Sequence, residues 1–139
     1  MISLLENKIN ASSLSPLTLA FVGDTVFDLL VRSELVCEAN RPVDSLHKAA
    51  SKRVCASAQS ASIKAIMPML SEEEEAVFKR GRNAKTGGTP KNQSNADYHY
   101  ATGLEALFGW LYLSGKTERI NELFAALRSF EEAGKGAAE

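Results

Sequence analysis

The stretch Leu17-Thr-Leu-Ala-Phe-Val-Gly-Asp24-Thr-Val-Phe-Asp28-Leu-Leu-Val31 decides the fold class of this 139-residue chain. It is mostly apolar, but Asp24, Asp28 and small polar residues interrupt it, so it predicts a core helix and not a membrane span. Ser15-Pro16 precedes it as a start signal, because serine caps a helix and proline suits its first position. We expect this helix to run to about Val36.

The rest of the chain also has helical spacing, and no alternating strand pattern is visible. Ser71 and Glu74 form a capping box for a helix that ends near Gly81. The sequence therefore predicts an all-α helical bundle of one domain, residues 1–139, with its core at about 15–130 and a frayed tail at 133–139. The other expected helices are a short one from 43 or 44, a longer one to about 66, and two at about 96–113 and 117–130.

Composition is that of an ordinary globular domain, with 45% apolar and 24% charged residues. The net charge of −1 argues weakly against a nucleic-acid partner, since such domains are often basic. No signal peptide is visible at the start. Cys37 and Cys55 form no metal-ligand pattern and are expected to be free thiols in a reducing cytoplasm.

Two acids stand out because they lie within the most apolar helices without a basic residue one turn away. These are Asp24 and Glu105. A buried charge is costly unless it is paired or binds a metal, so the two acids suggest a shared cation site. The small residues Gly23, Gly103 and Gly109 would let the two helices approach closely.

A salt bridge is the alternative for each acid, with Lys52, Arg53 or Arg82 as the partner. The residues alone leave these two interpretations about equally open. Asp28 lies one turn from Asp24, but Arg32 lies one turn further on, so an Asp28–Arg32 ion pair is favoured there.

Oxygen ligands without clustered histidine or cysteine favour a hard cation, Mg²⁺ with Mn²⁺ as a substitute. Mg²⁺ commonly takes one or two carboxylates together with a substrate phosphate. The chemistry that matches such a site is phosphodiester hydrolysis by an activated water.

A basic segment follows the capping-box helix and leads into a long predicted loop at residues 82–95. Long loops in small domains are often functional, and basic and amide side chains bind phosphates, sugar hydroxyls and base edges. A solvated connector is the alternative. Asp28, His47 and Lys48 are accessory candidates, although a surface or core-edge histidine is the commoner case. The candidate RNA-binding residues are Lys79, Arg80, Arg82, Asn83, Lys85, Thr86, Lys91 and Asn92.

Several of these motifs resemble the ribonuclease III family. Leu19-Ala-Phe-Val-Gly-Asp24-Thr-Val-Phe-Asp28 resembles its signature helix, and Glu105-Ala-Leu-Phe-Gly109-Trp-Leu-Tyr-Leu113 resembles its later catalytic helix. The segments between them resemble the Mini-ribonuclease III branch, which lacks a double-stranded-RNA-binding domain. They are Leu46-His-Lys48, Glu72-Glu-Glu-Glu-Ala-Val-Phe-Lys-Arg-Gly-Arg-Asn-Ala-Lys85 and Thr89-Pro-Lys-Asn92.

The resemblance implies a homodimeric endoribonuclease that cuts double-stranded RNA, leaves 5′-phosphate ends and matures the 23S ribosomal RNA precursor. It places Asp24 and Glu105 on the family's metal-binding, catalytic acids. Two further family acids are replaced here by Ala20 and Thr102. A large-subunit ribosomal protein is a further expected partner, and no membrane is expected.

Two other functions remain open from the sequence. The first is a non-catalytic RNA-binding module for ribosome assembly on the same fold, which the residues Ala20 and Thr102 favour. The second is a helical protein-interaction domain without an RNA role. Cleavage of an RNA duplex distinguishes the enzyme from both.

Overall fold

The computed structural model describes residues 9–85 and 94–138, which form six α-helices and two short 3₁₀ turns and contain no strand. The all-α prediction is confirmed. The 3₁₀ turns are Ala11–Ser13 and Met67–Met69. The helices are α1 (Pro16–Glu38), α2 (Val43–Val54), α3 (Ala56–Ile66), α4 (Glu72–Arg82), α5 (Asn95–Leu113) and α6 (Thr117–Ala138).

Helix starts follow the predicted capping chemistry. Ser15 accepts a hydrogen bond from the Thr18 N–H at 3.3 Å, and Pro16 occupies the first position of α1. The capping box of α4 is complete, since the Glu74 N–H donates to Ser71 Oγ at 3.1 Å and the Ser71 N–H donates to Glu74 Oε1 at 2.8 Å.

Helix α5 is the centre of the bundle and packs against α1, α3, α4 and α6. Its residues 101–111 are buried except for Glu105, which is partly buried. Phe27 of α1 packs edge-on against Phe108 of α5, with ring centroids 5.6 Å apart. Burial of such aromatic and aliphatic side chains supplies most of the driving force for folding.

Glycines set two of the helix contacts. A Cβ on Gly23 would lie 1.6 Å from the Glu105 carbonyl oxygen, and a Cβ on Gly109 would lie 1.9 Å from that of Leu19. The predicted close approach of α1 and α5 is therefore confirmed for these two residues. For Gly103 the prediction was wrong, because a Cβ on this residue would lie 2.6 Å from the Phe78 ring of α4 and not against α1.

Two further helix boundaries differ from the sequence prediction. The segment at 43–66 is two helices of 12 and 11 residues separated at Cys55, which is extended at φ −68° and ψ 154°, instead of a short helix and a longer one. The tail was expected to be frayed from residue 133, but α6 continues to Ala138.

Candidate active site

The two candidate acids meet where α1 crosses α5. Asp24 directly follows Gly23, and Glu105 lies one turn before Gly109, so the close backbone contact at these glycines brings the two carboxyls together. The Asp24 carboxyl lies close enough to influence the titration of Glu105. The structure therefore brings the two acids together, and their shared role as a cation site stays a prediction.

The environment of Glu105 disfavours its charged form. Burial and the neighbouring Asp24 carboxyl raise the pKa of Glu105 to about 9. A carboxyl of this kind retains its proton at neutral pH unless a cation replaces that proton. Two oxygen ligands without compensating charge therefore match the requirements of a hard divalent cation.

Asp24 differs from the sequence expectation, which treated it as a buried charge. Its side chain is exposed in the protomer, and so is the apolar Phe21 one turn before it, which is 80% exposed. Of the apolar residues one turn from Asp24, Phe21 belongs to the surface, whereas Ala20 and Phe27 belong to the core. Asp24 is consequently accessible to a substrate, whereas Glu105 is enclosed behind it.

Salt bridges to the expected bases are not observed for either acid within residues 9–85 and 94–138. Arg53 instead bonds Glu34 at 2.7 Å and Glu131 at 3.0 Å, and thereby links α1, α2 and α6. Arg82 bonds the Asn83 side chain at 3.1 Å. The alternative in which Asp24 and Glu105 pair with these arginines is therefore excluded in the structure.

The two residues that stand in place of the further family acids are buried and offer no additional carboxylate ligand. Ala20 is 8% exposed and Thr102 is 5% exposed. The Thr102 hydroxyl donates to the Tyr98 carbonyl at 2.9 Å. No group of three or more histidine, cysteine or acidic side chains arranged for a metal occurs in the described part of the chain.

Of the three accessory candidates, Asp28 lies one turn from Asp24 on α1, whereas His47 and Lys48 lie on α2. Asp28 forms the expected ion pair with Arg32 at 2.9 Å. His47 is exposed and lines a small apolar pocket between α1 and α2. Lys48 lines a larger cavity between α1, α2, α3 and α6.

The basic segment begins on the last turn of α4. Lys79 pairs with Glu75 at 3.0 Å, while Arg80 donates to the Leu14 carbonyl at 3.4 Å. Asn83 and Lys85 are exposed. The predictions for Thr86, Lys91 and Asn92 lie outside the described residues.

Arg82 belongs to a cluster that the sequence did not suggest. Its guanidinium lies 5.8 Å from the ring centroids of both Phe78 and Tyr100. Lys64 of α3 lies 4.5 Å from the Tyr100 centroid. Lys64 therefore adds a cation beside the start of α5. It is 18 residues before Arg82, and no local pattern could have linked them.

Known proteins resemble this chain over most of its length. The ribonuclease III domain matches residues 17–116. The chain belongs to the ribonuclease III family. Proteins named Mini-ribonuclease 3 match it from Thermoanaerobacter sp. strain X514, with 48% identity over 88% of this chain and 90% of that protein, and from Symbiobacterium thermophilum, with 44% identity over 91% and 97%. It is thus a member of the Mini-ribonuclease III group, and its enzyme class is endoribonuclease.

A solved structure shares the fold of this chain. A Fusobacterium nucleatum protein determined by X-ray crystallography superimposes with a TM-score of 0.79 and 32% identity, covering 90% of this chain and 99% of that one. The predicted ribonuclease III fold is confirmed. Enzymes of this family act on double-stranded RNA and generally use divalent metal ions. Among the described residues, no helix has the length and apolarity needed to span a bilayer.

Proposed function

We propose that this chain is a metal-dependent endoribonuclease whose Asp24 and Glu105 form the cleavage site for both strands of an RNA duplex, each strand at one site of a homodimer. The observation that carries the proposal is the approach of these two acids on helices that touch through Gly23 and Gly109, close enough for the Asp24 carboxyl to raise the pKa of Glu105. Mg²⁺ is the proposed ion, with Mn²⁺ as a substitute.

The residues present fit such an ion. Asp24 and Glu105 offer two hard oxygen donors, and the raised pKa of Glu105 reflects the lack of a compensating charge. Mg²⁺ usually keeps several waters and takes one or two protein carboxylates, which suits a site with Ala20 and Thr102 at the other two positions. When bound, the ion supplies an activated water and stabilises charge on the phosphate oxygens.

The two acids have different tasks in this proposal. Asp24 is exposed, so its carboxylate is the one that faces an approaching phosphate. Glu105 is partly buried on α5, and its carboxyl positions Asp24 from behind. The proton on Glu105 must leave before both carboxylates act as ligands, so metal binding is linked to proton release.

The basic residues that follow α4 are the proposed contacts to the RNA backbone. Arg80, Arg82 and Lys85 lie at or after the last turn of α4, and Lys64 adds to them from α3. Lysine and arginine contacts to phosphate release counterions and give affinity without sequence preference. Thr86, Lys91 and Asn92 remain predicted contacts.

Homodimer formation is proposed through α1. An exposed apolar stripe runs along this helix beside the acid, with Leu17 at 42%, Phe21 at 80%, Leu29 at 52% and Val36 at 59% exposure. Exposed apolar surface of this kind is typical of an interface. No large apolar side chain of α5 is exposed, so the proposed interface is assigned to α1. The acid pair thus lies at the edge of the proposed interface.

The proposed substrate in the cell is the 23S ribosomal RNA precursor, with a large-subunit ribosomal protein as an additional partner and the cytoplasm as the location. Family membership supports these assignments. A non-catalytic RNA-binding module is the second candidate, and the closed positions at Ala20 and Thr102 favour it.

Cleavage of an end-labelled RNA duplex tests the two candidates. We expect double-strand cuts that require Mg²⁺ and fall by at least about a hundredfold in Asp24→Asn. The matched control is Asp28→Asn, which removes a partly buried acid one turn away that already pairs with Arg32. Binding of RNA without cutting, across Mg²⁺ and Mn²⁺ and several duplexes, would support the non-catalytic module instead.

A further inference from the structure

We propose that the cavity enclosed by α1, α2, α3 and α6 binds a phosphate group against Arg41 and the N-terminal end of α2. The cavity measures about 1040 Å³, which is at the upper end for small-ligand sites. Its walls combine apolar residues, such as Leu35 and Phe130, with several cations. It is separate from the Asp24–Glu105 pair, neither of which lines it.

Arg41 has no protein partner for its charge. Its Nε and Nη2 atoms are enclosed without a hydrogen-bond partner, and it forms no ion pair within residues 9–85 and 94–138. Arg53, which lines the same cavity, bonds Glu34 and Glu131 instead. An enclosed guanidinium without a counter-ion is costly, and an anion in the cavity that meets its remaining nitrogen, Nη1, would offset this cost.

The N-terminal end of α2 supplies donors on the same wall. Pro42 is the N-cap, and no side chain caps this 12-residue helix. The first N–H groups of a helix lack internal partners and attract anions through the helix dipole. Ser45, in the first turn, lines the cavity beside Arg41.

The charges around the cavity favour an anion with more than one negative charge. Lys48 and Lys52 lie one turn apart on α2, and neither has an ion pair in the described part of the chain. Together with Arg41 they give three uncommitted cations, against the acids Glu38 and Asp44. The third acid of the lining, Glu131, is paired with Arg53. A phosphate has enough acceptor oxygens to bond a guanidinium, an ammonium and a helix N–H at once.

The phosphate could come from bound RNA or from a free phosphorylated compound. Leu35 lies eleven residues after Asp24, which is about three helical turns, so the cavity starts on the same side of α1 about 16 Å further along its axis. Every nucleotide of a duplex at Asp24 carries a phosphate, so phosphates are available at this distance. The RNA source rests on the proposed function, whereas the free source does not.

The test compares the full chain with Arg41→Gln and with the control Lys116→Gln, which removes a cation that does not line the cavity. Thermal unfolding is measured in EDTA with inorganic phosphate or with chloride of equal ionic strength. We expect phosphate to raise the Tm of the full chain and of the control, but not that of Arg41→Gln. Without phosphate, Arg41→Gln should unfold at the same temperature or higher, because an uncompensated charge is gone.

Anisotropy of a labelled RNA duplex in EDTA, over a range of salt, identifies the source. If RNA supplies the phosphate, Arg41→Gln weakens binding by about eightfold at 0.1 M salt and lowers the salt slope by about one contact. If a free compound supplies it, RNA binding is unchanged while phosphate protection is still lost. An equal phosphate effect in the full chain and Arg41→Gln, or no effect in either together with unchanged RNA affinity, would overturn the proposal.

Discussion

Replacing Glu105 by glutamine should stabilise the metal-free protein at neutral and alkaline pH. The pKa of Glu105 is raised to about 9 from 4.5 by burial and by Asp24. Between these values the folded chain keeps a proton that the unfolded chain has released. The stabilisation from protonated Glu105 is therefore complete below pH 4.5 and is lost as the pH rises towards 9.

The size of the effect follows from this difference. Each pH unit above 4.5 lowers the free energy of unfolding of the wild type by about 1.4 kcal/mol relative to a variant with a neutral side chain. The difference is about 3 kcal/mol at pH 7. The gain for Glu105→Gln should grow from about 1 kcal/mol at pH 5 to about 5 kcal/mol at pH 8. Glutamine is nearly isosteric and can still donate a hydrogen bond to Asp24.

Urea denaturation in EDTA at pH 5 and pH 8 measures the gain, with Glu118→Gln, an exposed acid of α6, as the control. The difference between variant and wild type cancels the other titrating groups. An equal gain at both pH values, or a Glu105→Gln variant that is less stable than the wild type at pH 8, would contradict a protonated Glu105 in the folded chain.

Three further changes test other parts of the structure. Gly109→Ala should cost at least about 3 kcal/mol and abolish cleavage, because its Cβ would lie 1.9 Å from a backbone carbonyl of α1; Gly134→Ala, with open space around it, should instead stabilise by about 0.5–1 kcal/mol. Equal urea midpoints for these two variants would contradict the packing argument. Arg119→Met should lower the free energy of unfolding by about 2 kcal/mol at pH 7, because it removes the partner of buried Glu74. The Arg119 hydrogen bond lowers the pKa of Glu74, so the loss should shrink as the pH falls through that lowered pKa, and a loss independent of pH between 7 and 3 would count against the pairing. Phe21→Glu should convert the proposed dimer to a monomer in light scattering, and an unchanged mass would place the interface elsewhere.

The parts of the fold that the sequence predicted are those controlled by local chemistry. Ser15, Ser71 and Glu74 cap helices through side chains three residues from their targets, and such signals are visible in the sequence. Two helices were predicted between residues 43 and 66, but their junction at Cys55 was not located because neither glycine nor proline marks it. The extent of α6 was missed because its alanines carry no apolar periodicity.

The candidate site was predictable for a different reason. Asp24 and Glu105 lack basic neighbours at helical spacing, so a role away from ordinary ion pairs could be inferred before any geometry was known. Their proximity depends on Gly23 and Gly109, which the sequence indicated only as small residues. The exposure of Asp24 was not predictable, since apolar neighbours in sequence can belong to a surface stripe as well as to a core.

Contacts between residues that are far apart in the sequence could not be predicted from it. Arg41 and Lys64 showed no motif, and their significance comes from the cavity and from the Tyr100 ring that other helices place beside them. Gly103 was assigned to the wrong neighbour because a glycine indicates close packing but not the partner. That residues 1–139 form a single catalytic domain remains a prediction.

A shared metal site at Asp24 and Glu105 is tested most directly by measuring Mn²⁺ binding and RNA cleavage on the same samples. The samples are wild type, Asp24→Asn and Glu105→Gln. Free Mn²⁺ can be followed by electron paramagnetic resonance. We predict that each variant weakens Mn²⁺ binding by at least about tenfold and loses duplex cleavage together with it. Cleavage that persists in either variant, or cleavage that is lost while Mn²⁺ binding is unchanged, would contradict a shared metal site at these two acids.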